Sequence, residues 1–411
     1  MRKSWLLIGC MGVVAAVTYL GDPASALSGS LSSSRPQLTT IAIPAPPGQI
    51  PAKWLGYAGP PRANVLLPAD YDPGTRYPLL ILLNALANNY DSYAEDGIVA
   101  RLSGLDAIVV MPEGGSGWYA DWWNEGERGS PGWESYELGT VIPTILASYP
   151  ILPQRQYHAI AGFSMGGLGA VYLAGRLPGF FGTVASLSGF VDPGYFAPVT
   201  EVGMWATALA PFEGNGNLDA VYGPPNGFYA QGHDPVLLAA NLQQTRIFES
   251  TGTGVPSSAG VKSLSVRDLG ATAAVATGSA LEAPIIYPMN QLYHRALTAA
   301  GDDVTYQVHA GGHDLPDFYN ELTAVLAWGF FNPVTTDAAS WINNTVATSG
   351  QLWDIGYRFA QPPSRVVRFQ QTGSTLSISA AGSAVTVTTS GGCAISTPTP
   401  AAISLPSQAC S

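Results

Sequence analysis

The sequence predicts an α/β domain built on a mostly parallel sheet, followed by a small β-rich module. Three observations carry that prediction. From residue 52 to about 334, short apolar runs bounded by turn residues alternate with helix-length segments, the pattern of strands buried on both faces and joined by crossover helices. From about 335 the helical patterns stop and period-two alternation takes over. The composition, 46% hydrophobic with 47 glycines and 33 prolines in 411 residues, supplies a large core and many ordered turns.

Taken in order, residues 1–26 read as an export leader: Arg2 and Lys3 form the positive end, Trp5 to Leu20 the apolar stretch, and Ala24-Ser25-Ala26 the cleavage site. The apolar stretch is too short to span a bilayer. Residues 27–51, rich in Ser, Thr, Pro and Gly, suit a flexible lead-in. In the domain at 52–334 the expected strands are Tyr77 to Leu83, Ala107 to Met111, Tyr157 to Gly162, Gly182 to Leu187, Thr245 to Glu249 and Val304 to His309. Small and polar residues from Ser250 to Leu281 read as an insertion that could line or cover a site. In the module at 335–411, Leu376, Ile378 and Ala380 alternate on one side of Ala381-Gly382-Ser383, and Val385 and Val387 on the other, which predicts a β-hairpin. Cys10 leaves with the leader, so Cys393 and Cys410 remain as a pair, expected to close a disulfide worth about 3 kcal/mol.

Charge narrows the function. The net charge is −11, and loss of Arg2, Lys3 and Asp22 with the leader makes it one unit more acidic. Such a surface repels phosphate backbones, so nucleic acid is excluded as a partner. No metal-ligand spacing, phosphate-cradling loop or dinucleotide motif occurs, so neither a metal nor a cofactor is expected.

The chemistry concentrates in the segment from Ala159 to Val171, an apolar strand, then Gly162-Phe163-Ser164-Met165-Gly166, then a small-residue helix. That is the context of a nucleophile elbow, in which a serine on a strained turn needs small neighbours two residues away on either side. It points to Ser164 as a nucleophile; the plain alternative is a glycine-rich helix cap. A serine hydroxyl needs an imidazole to take its proton, and in this arrangement the histidine comes last. His294 falls in a helical stretch, His309 ends a strand, and His233 precedes the strand at 245–249. His313 is left, in Ala310-Gly311-Gly312-His313-Asp314, unless it merely caps the following helix. The acid that orients it lies among Glu249, Asp268, Glu282 and Asp302, and Glu282, directly before a helix-forming stretch, is favoured. The oxyanion donors are expected to be the amides of Met165 and of Leu86, in the turn after the first buried strand.

Several segments in order now resemble a family: Val109-Val110-Met111-Pro112-Glu113-Gly114-Gly115, Tyr119-Ala120-Asp121-Trp122-Trp123, Trp133-Glu134-Ser135-Tyr136-Glu137, the elbow, Ser186-Leu187-Ser188-Gly189, Asp192-Pro193 and Gly252-Thr253-Gly254-Val255-Pro256. Over roughly residues 60 to 330 the chain resembles the esterase D type of α/β-hydrolases, closest in motif order to the antigen 85 mycolyltransferases. The resemblance implies an α/β-hydrolase fold, ester or acyl-glycolipid substrates and association with the cell envelope. It also places the acid at Glu282. The chain departs from the family at two points. Asn84-Ala85-Leu86-Ala87 stands where the mycolyltransferases have Asp-Gly-Leu-Arg, and His313-Asp314-Leu315 where they have His-Ser-Trp. Positions that face trehalose in the family are therefore altered. The resemblance implies a serine ester hydrolase first, an acyltransferase second, and third an inactive binding protein of the kind the family also contains. The aromatic residues Trp118, Tyr119, Trp122, Trp123, Trp133 and Tyr136 are expected to pack between long loops rather than to form a ligand platform.

Overall fold

The computed structural model describes residues 35–51, 53–54, 57–196, 219–257, 276–335, 338–406 and 410. The segment expected to be a leader, the first part of the expected lead-in, Asp268 and most of the insertion around it lie outside the described residues.

A central sheet of eight strands organises the larger part of the chain. Its members are β1 (Gln37–Ala42), β4 (Arg62–Leu67), β5 (Leu79–Leu83), β6 (Ile108–Pro112), β7 (His158–Phe163), β8 (Thr183–Leu187), β9 (Arg246–Gly252) and β10 (Asp303–His309). A two-residue ladder of β2 (Lys53–Trp54) and β3 (Tyr57–Ala58) stands apart. The order across the sheet is β1-β4-β6-β5-β7-β8-β9-β10. β4 runs antiparallel to both its neighbours, and every pairing from β6 through β10 is parallel. The continuous apolar runs follow from burial on both faces: in β5, Leu79, Ile81 and Leu83 enter one core cluster while Leu80 and Leu82 enter another.

The lead-in is more ordered than its composition suggests. Residues 37–42 form β1, paired along their whole length with β4, and Ile43 is buried. The strand is held by backbone hydrogen bonds and leaves nearly all its side chains exposed, so no period-two pattern marked it.

Helices α1 (Ile142–Ser148), α2 (Met165–Arg176) and α3 (Tyr287–Ala300) cover one face of the sheet, and α4 (Leu315–Trp328) covers the other. Asp314 caps α4 by accepting from the Asp317 amide at 3.1 Å. All twelve residues of α2 are buried, which its small side chains permit.

The C-terminal residues form a sandwich of two four-stranded antiparallel sheets. One contains β11 (Ser340–Thr345), β14 (Val367–Thr372), β15 (Thr375–Ile378) and β18 (Ala401–Ser404); the other contains β12 (Ser349–Leu352), β13 (Ile355–Phe359), β16 (Val385–Thr389) and β17 (Ala394–Thr397). The hairpin expected around Ala381-Gly382-Ser383 does not form. β15 pairs with β14 and β18, whereas β16 pairs with β13 and β17, so the chain crosses between sheets at that turn. Alternation marks the buried face of each strand but carries no information about its partner. Cys393 and Cys410 are disulfide-bonded.

The sandwich is fastened to the end of α2. Arg176 reaches the Tyr357 hydroxyl at 3.2 Å, Asn343 donates to the Gly175 carbonyl at 2.7 Å, and Asn241 exchanges two hydrogen bonds with the backbone of Asn344 at 2.8 and 2.7 Å. A cleft of about 420 Å³ remains between the two parts. Among its lining residues, Glu134 takes Arg176 at 2.6 Å; behind them Glu134 also accepts from the Tyr172 hydroxyl at 2.8 Å. Burial alone would raise the Glu134 carboxyl, but Arg176 and His233 hold it at about 2.

Candidate active site

The elbow forms because two glycines let a strand and a helix nearly touch. A Cβ on Gly162 would stand 2.3 Å from the Gly166 carbonyl carbon, and one on Gly166 would stand 2.3 Å from the Leu83 carbonyl oxygen at the end of β5. Between them Ser164 adopts φ 58°, ψ −118°, a conformation costly for a residue with a side chain. The turn lifts its hydroxyl above the carboxyl ends of the parallel strands at the N-terminus of α2, where the macrodipole favours developing negative charge.

The loop after β10 brings His313 to that hydroxyl. Its Nε2 lies 2.8 Å from Ser164 Oγ and its Nδ1 2.8 Å from Glu282 Oε2. Phe163, the residue before the serine, stacks on the imidazole with ring centroids 4.6 Å apart. Glu282 is fully buried at the start of a widened helical turn, Glu282–Ile286, that leads into α3. Its other oxygen, Oε1, accepts from the Gly252 amide at 2.9 Å and the Thr251 hydroxyl at 2.8 Å, with the Ser188 hydroxyl at 3.0 Å. Ser164 thus forms one hydrogen-bonded chain with His313 and Glu282, both more than a hundred residues further along the sequence.

The remaining acids are elsewhere. Glu249 stands in β9, buried with His294 3.6 Å away, and burial pushes its carboxyl up to about 7. Asp302, also raised to about 7 by burial, sits in the turn between α3 and β10.

Met165 is the first residue of α2, so its amide has no partner within the helix. Leu86 is half-buried in the turn after β5, where Ala87 takes φ 62° and donates its amide to Ser116 Oγ at 3.2 Å. Asn84, buried at the base of this turn, acts as its brace. Its amide nitrogen faces the carbonyls of Ala85, Asn88 and Gly115 at 2.9–3.1 Å, and its Oδ1 accepts from the Gly114 amide at 2.9 Å. Behind it Glu113, raised to about 7 by burial, accepts from Gly115 at 2.8 Å.

Sequence reasoning missed Asn84, Ser116, Ser188 and Thr251. Asn84 and Ser188 carried a local signal, each standing one residue beyond the end of an expected strand, where sites of this architecture gather. Of the aromatic residues, Trp118, Tyr119, Trp122, Trp133 and Tyr136 are fully buried, as packing requires; Trp123 is partly exposed. Among the described residues, no group of three His, Cys, Asp or Glu side chains is placed to hold a metal ion.

This geometry has relatives. The profile of the esterase family matches residues 58–328, more than half of the chain. Esterase Rv1288 of Mycobacterium tuberculosis is 37% identical over 133 residues, 31% of this chain and 29% of that protein. The chain therefore matches less than a third of that relative's length. Diacylglycerol acyltransferase/mycolyltransferase Ag85B of Mycobacterium leprae is 28% identical over 268 residues, 62% of this chain and 75% of the relative. Among solved structures, MPT51 of Mycobacterium tuberculosis has a TM-score of 0.53 at 20% identity, covering 72% of this chain and 99% of that one. FphF, a fluorophosphonate-binding serine hydrolase of Staphylococcus aureus, has a TM-score of 0.51 at 17% identity with the same coverage. The fold is that of the α/β-hydrolases, and the chain belongs to the esterase family.

Proposed function

We propose that the protein is an exported carboxylic-ester hydrolase that works through an acyl-serine intermediate. The observation that carries this reading is the pair of 2.8 Å contacts joining Ser164 Oγ to His313 and His313 to Glu282. Ser164 Oγ attacks the ester carbonyl carbon while His313 Nε2 takes its proton, and the carbonyl oxygen becomes an oxyanion between the Met165 and Leu86 amides. Collapse breaks the bond to the alkoxy oxygen, which leaves with the proton from His313. Water, deprotonated by the same imidazole, then attacks the acyl-serine and releases the acid. Glu282 holds the proton on Nδ1 throughout and balances the imidazolium.

Two exposed apolar side chains near the triad suit an acyl chain: Val255, 61% exposed, follows the β9 residues that bond Glu282, and Leu315, 38% exposed, opens α4 two residues after His313. The Gly254 amide bonds the Gly311 carbonyl at 2.7 Å and so ties the loops after β9 and β10 together. Acyl transfer to a hydroxyl acceptor is the second reading, supported by the relatives whose names describe it. It uses the same residues and differs only in what replaces water. Export is supported by the leader pattern in residues 1–26.

The test is turnover of p-nitrophenyl esters of short and long acyl chains, with and without glycerol or trehalose, alongside fluorophosphonate labelling. Turnover and labelling that both vanish in Ser164→Ala are expected. A folded protein that neither labels nor turns over any chain length would sink the reading, and acylated glycerol or sugar would move it to transfer.

A further inference from the structure

A second histidine–carboxylate pair stands behind the first. Glu321 projects from α4 and is buried, with Oε1 2.8 Å from His309 Nε2 and 2.7 Å from Ser188 Oγ. The same Ser188 oxygen lies 3.0 Å from Glu282 Oε1. One hydroxyl, with one proton, thus bridges two buried carboxylates, and each carboxylate has its own histidine. Both ring nitrogens of His309 face acceptors, since Nδ1 lies 3.0 Å from the Ala310 carbonyl. Only the doubly protonated ring donates to both.

We propose that His309 and Glu321 form a charge-neutral pair that, through the Ser188 hydroxyl, keeps Glu282 ionised and fixed against His313. His309, Glu321 and Ser188 are then positioning residues for the ester chemistry proposed above, on which the inference rests. Two carboxylates this close cannot both stay ionised in a buried site without a compensating cation. His309 supplies it. The ring is wedged between α4 and the loop that carries His313: a Cβ on Gly311 would stand 2.9 Å from His309 Cε1 and 2.9 Å from Asp317 Oδ2. The groups facing this cluster are Asp314 and Asp317 at the start of α4, Glu282 on the turn before α3, and His313 on the loop. The surroundings are otherwise acidic. Burial by itself would lower the His309 imidazolium, but Glu321, then the Ala310 carbonyl and Asp317, raise it to about 9, so the ring stays charged at neutral pH.

Charge balance makes the proposal testable. Removing the His309 cation leaves a negative charge beside Glu282, which stabilises protonated His313 and stops it from accepting the serine proton. In His309→Gln the acid limb of kcat/KM is expected to move up by about one pH unit, so that kcat/KM falls about tenfold well below the limb and about threefold at neutral pH, with KM unchanged. In Glu321→Gln the carboxylate is gone and His309 reverts to neutral, so the limb stays at the wild-type position. The double variant His309→Gln/Glu321→Gln removes the stranded charge and brings the limb back. A purely structural role would make the double variant worse than either single one. Should His309→Gln not fold, His309→Asn is read in its place.

NMR titration of the His313 ring nitrogens in the same variants reads the same balance without ester turnover. A His313 titration that moves up in His309→Gln and returns in the double variant supports the pair, even if the wild type proves inactive and the esterase reading falls. An active wild type whose acid limb and His313 titration do not move in His309→Gln, or do not return in the double variant, overturns it.

Discussion

Replacing Glu282 by Gln changes one oxygen for an NH2 group, and the structure dictates which one. The Gly252 backbone N–H, 2.9 Å from Oε1, cannot turn away, and the Thr251 hydroxyl at 2.8 Å reinforces it. The amide oxygen must therefore stay at the Oε1 position, and the NH2 must occupy that of Oε2, 2.8 Å from His313 Nδ1. Nδ1 can then only accept. Its proton moves to Nε2, which donates to Ser164 instead of taking its proton. The imidazolium that forms during attack also loses its counter-charge. Fixing the wrong tautomer in such a triad costs about 10⁴ in kcat, or about 5 kcal/mol of barrier. Because the buried donors remain satisfied, the variant should unfold near the wild-type temperature. The assay is kcat for a p-nitrophenyl ester together with a thermal unfolding curve. A folded Glu282→Gln within tenfold of wild-type kcat would refute the argument that Glu282 sets the tautomer.

Further outcomes follow from other contacts. Arg176→Met should destabilise by about 3 kcal/mol, the usual cost of leaving one partner of a buried ion pair uncompensated; denaturant unfolding of the single variant and of Arg176→Met/Glu134→Leu, which removes the stranded charge and should recover most of the loss, checks it. The same pair sets an acid limit: a carboxyl lowered on folding stabilises above its unfolded value of about 4.5 and loses that contribution as pH falls through about 2, so Glu134→Gln should flatten the unfolding midpoint between those limits. Gly162→Ala should abolish fluorophosphonate labelling, because its Cβ would sit 2.3 Å from backbone that cannot yield; labelling at the wild-type rate would contradict the close-packed elbow. Cys393→Ser should cost about 3 kcal/mol of sandwich stability, read by calorimetry of the full chain.

Legibility from sequence tracked locality. The central parallel strands β5, β6 and β7 announced themselves because burial on both faces demands an apolar run, and the elbow because its glycines and serine are adjacent. His313 could be reached by setting the other histidines aside. What escaped depends on contacts that no local pattern encodes. β1 joins the sheet through backbone atoms alone, and the strands around Gly382 belong to opposite sheets although their alternation looks like a hairpin's. Asn84 was visible only by its place just past a strand end and as a departure from a family motif; the structure gives it a task, bracing the turn that presents the Leu86 amide. Ser188, Glu321 and His309 come from three separate elements, and only their meeting gives them meaning.

Helix α2 runs from Met165, just after the nucleophile, to Arg176, a rod of roughly 18 Å at 1.5 Å per residue, gripped by the elbow at one end and by the sandwich at the other. Anyone trimming this enzyme to a minimal catalyst at residue 328, where the family match stops, would cut away the tyrosine and asparagine that clamp the far end of that rod. The seam between helix and sandwich is therefore part of what holds the elbow's helix in place, and linkers, tags or immobilisation chemistry belong on the outer strands of the sandwich rather than there.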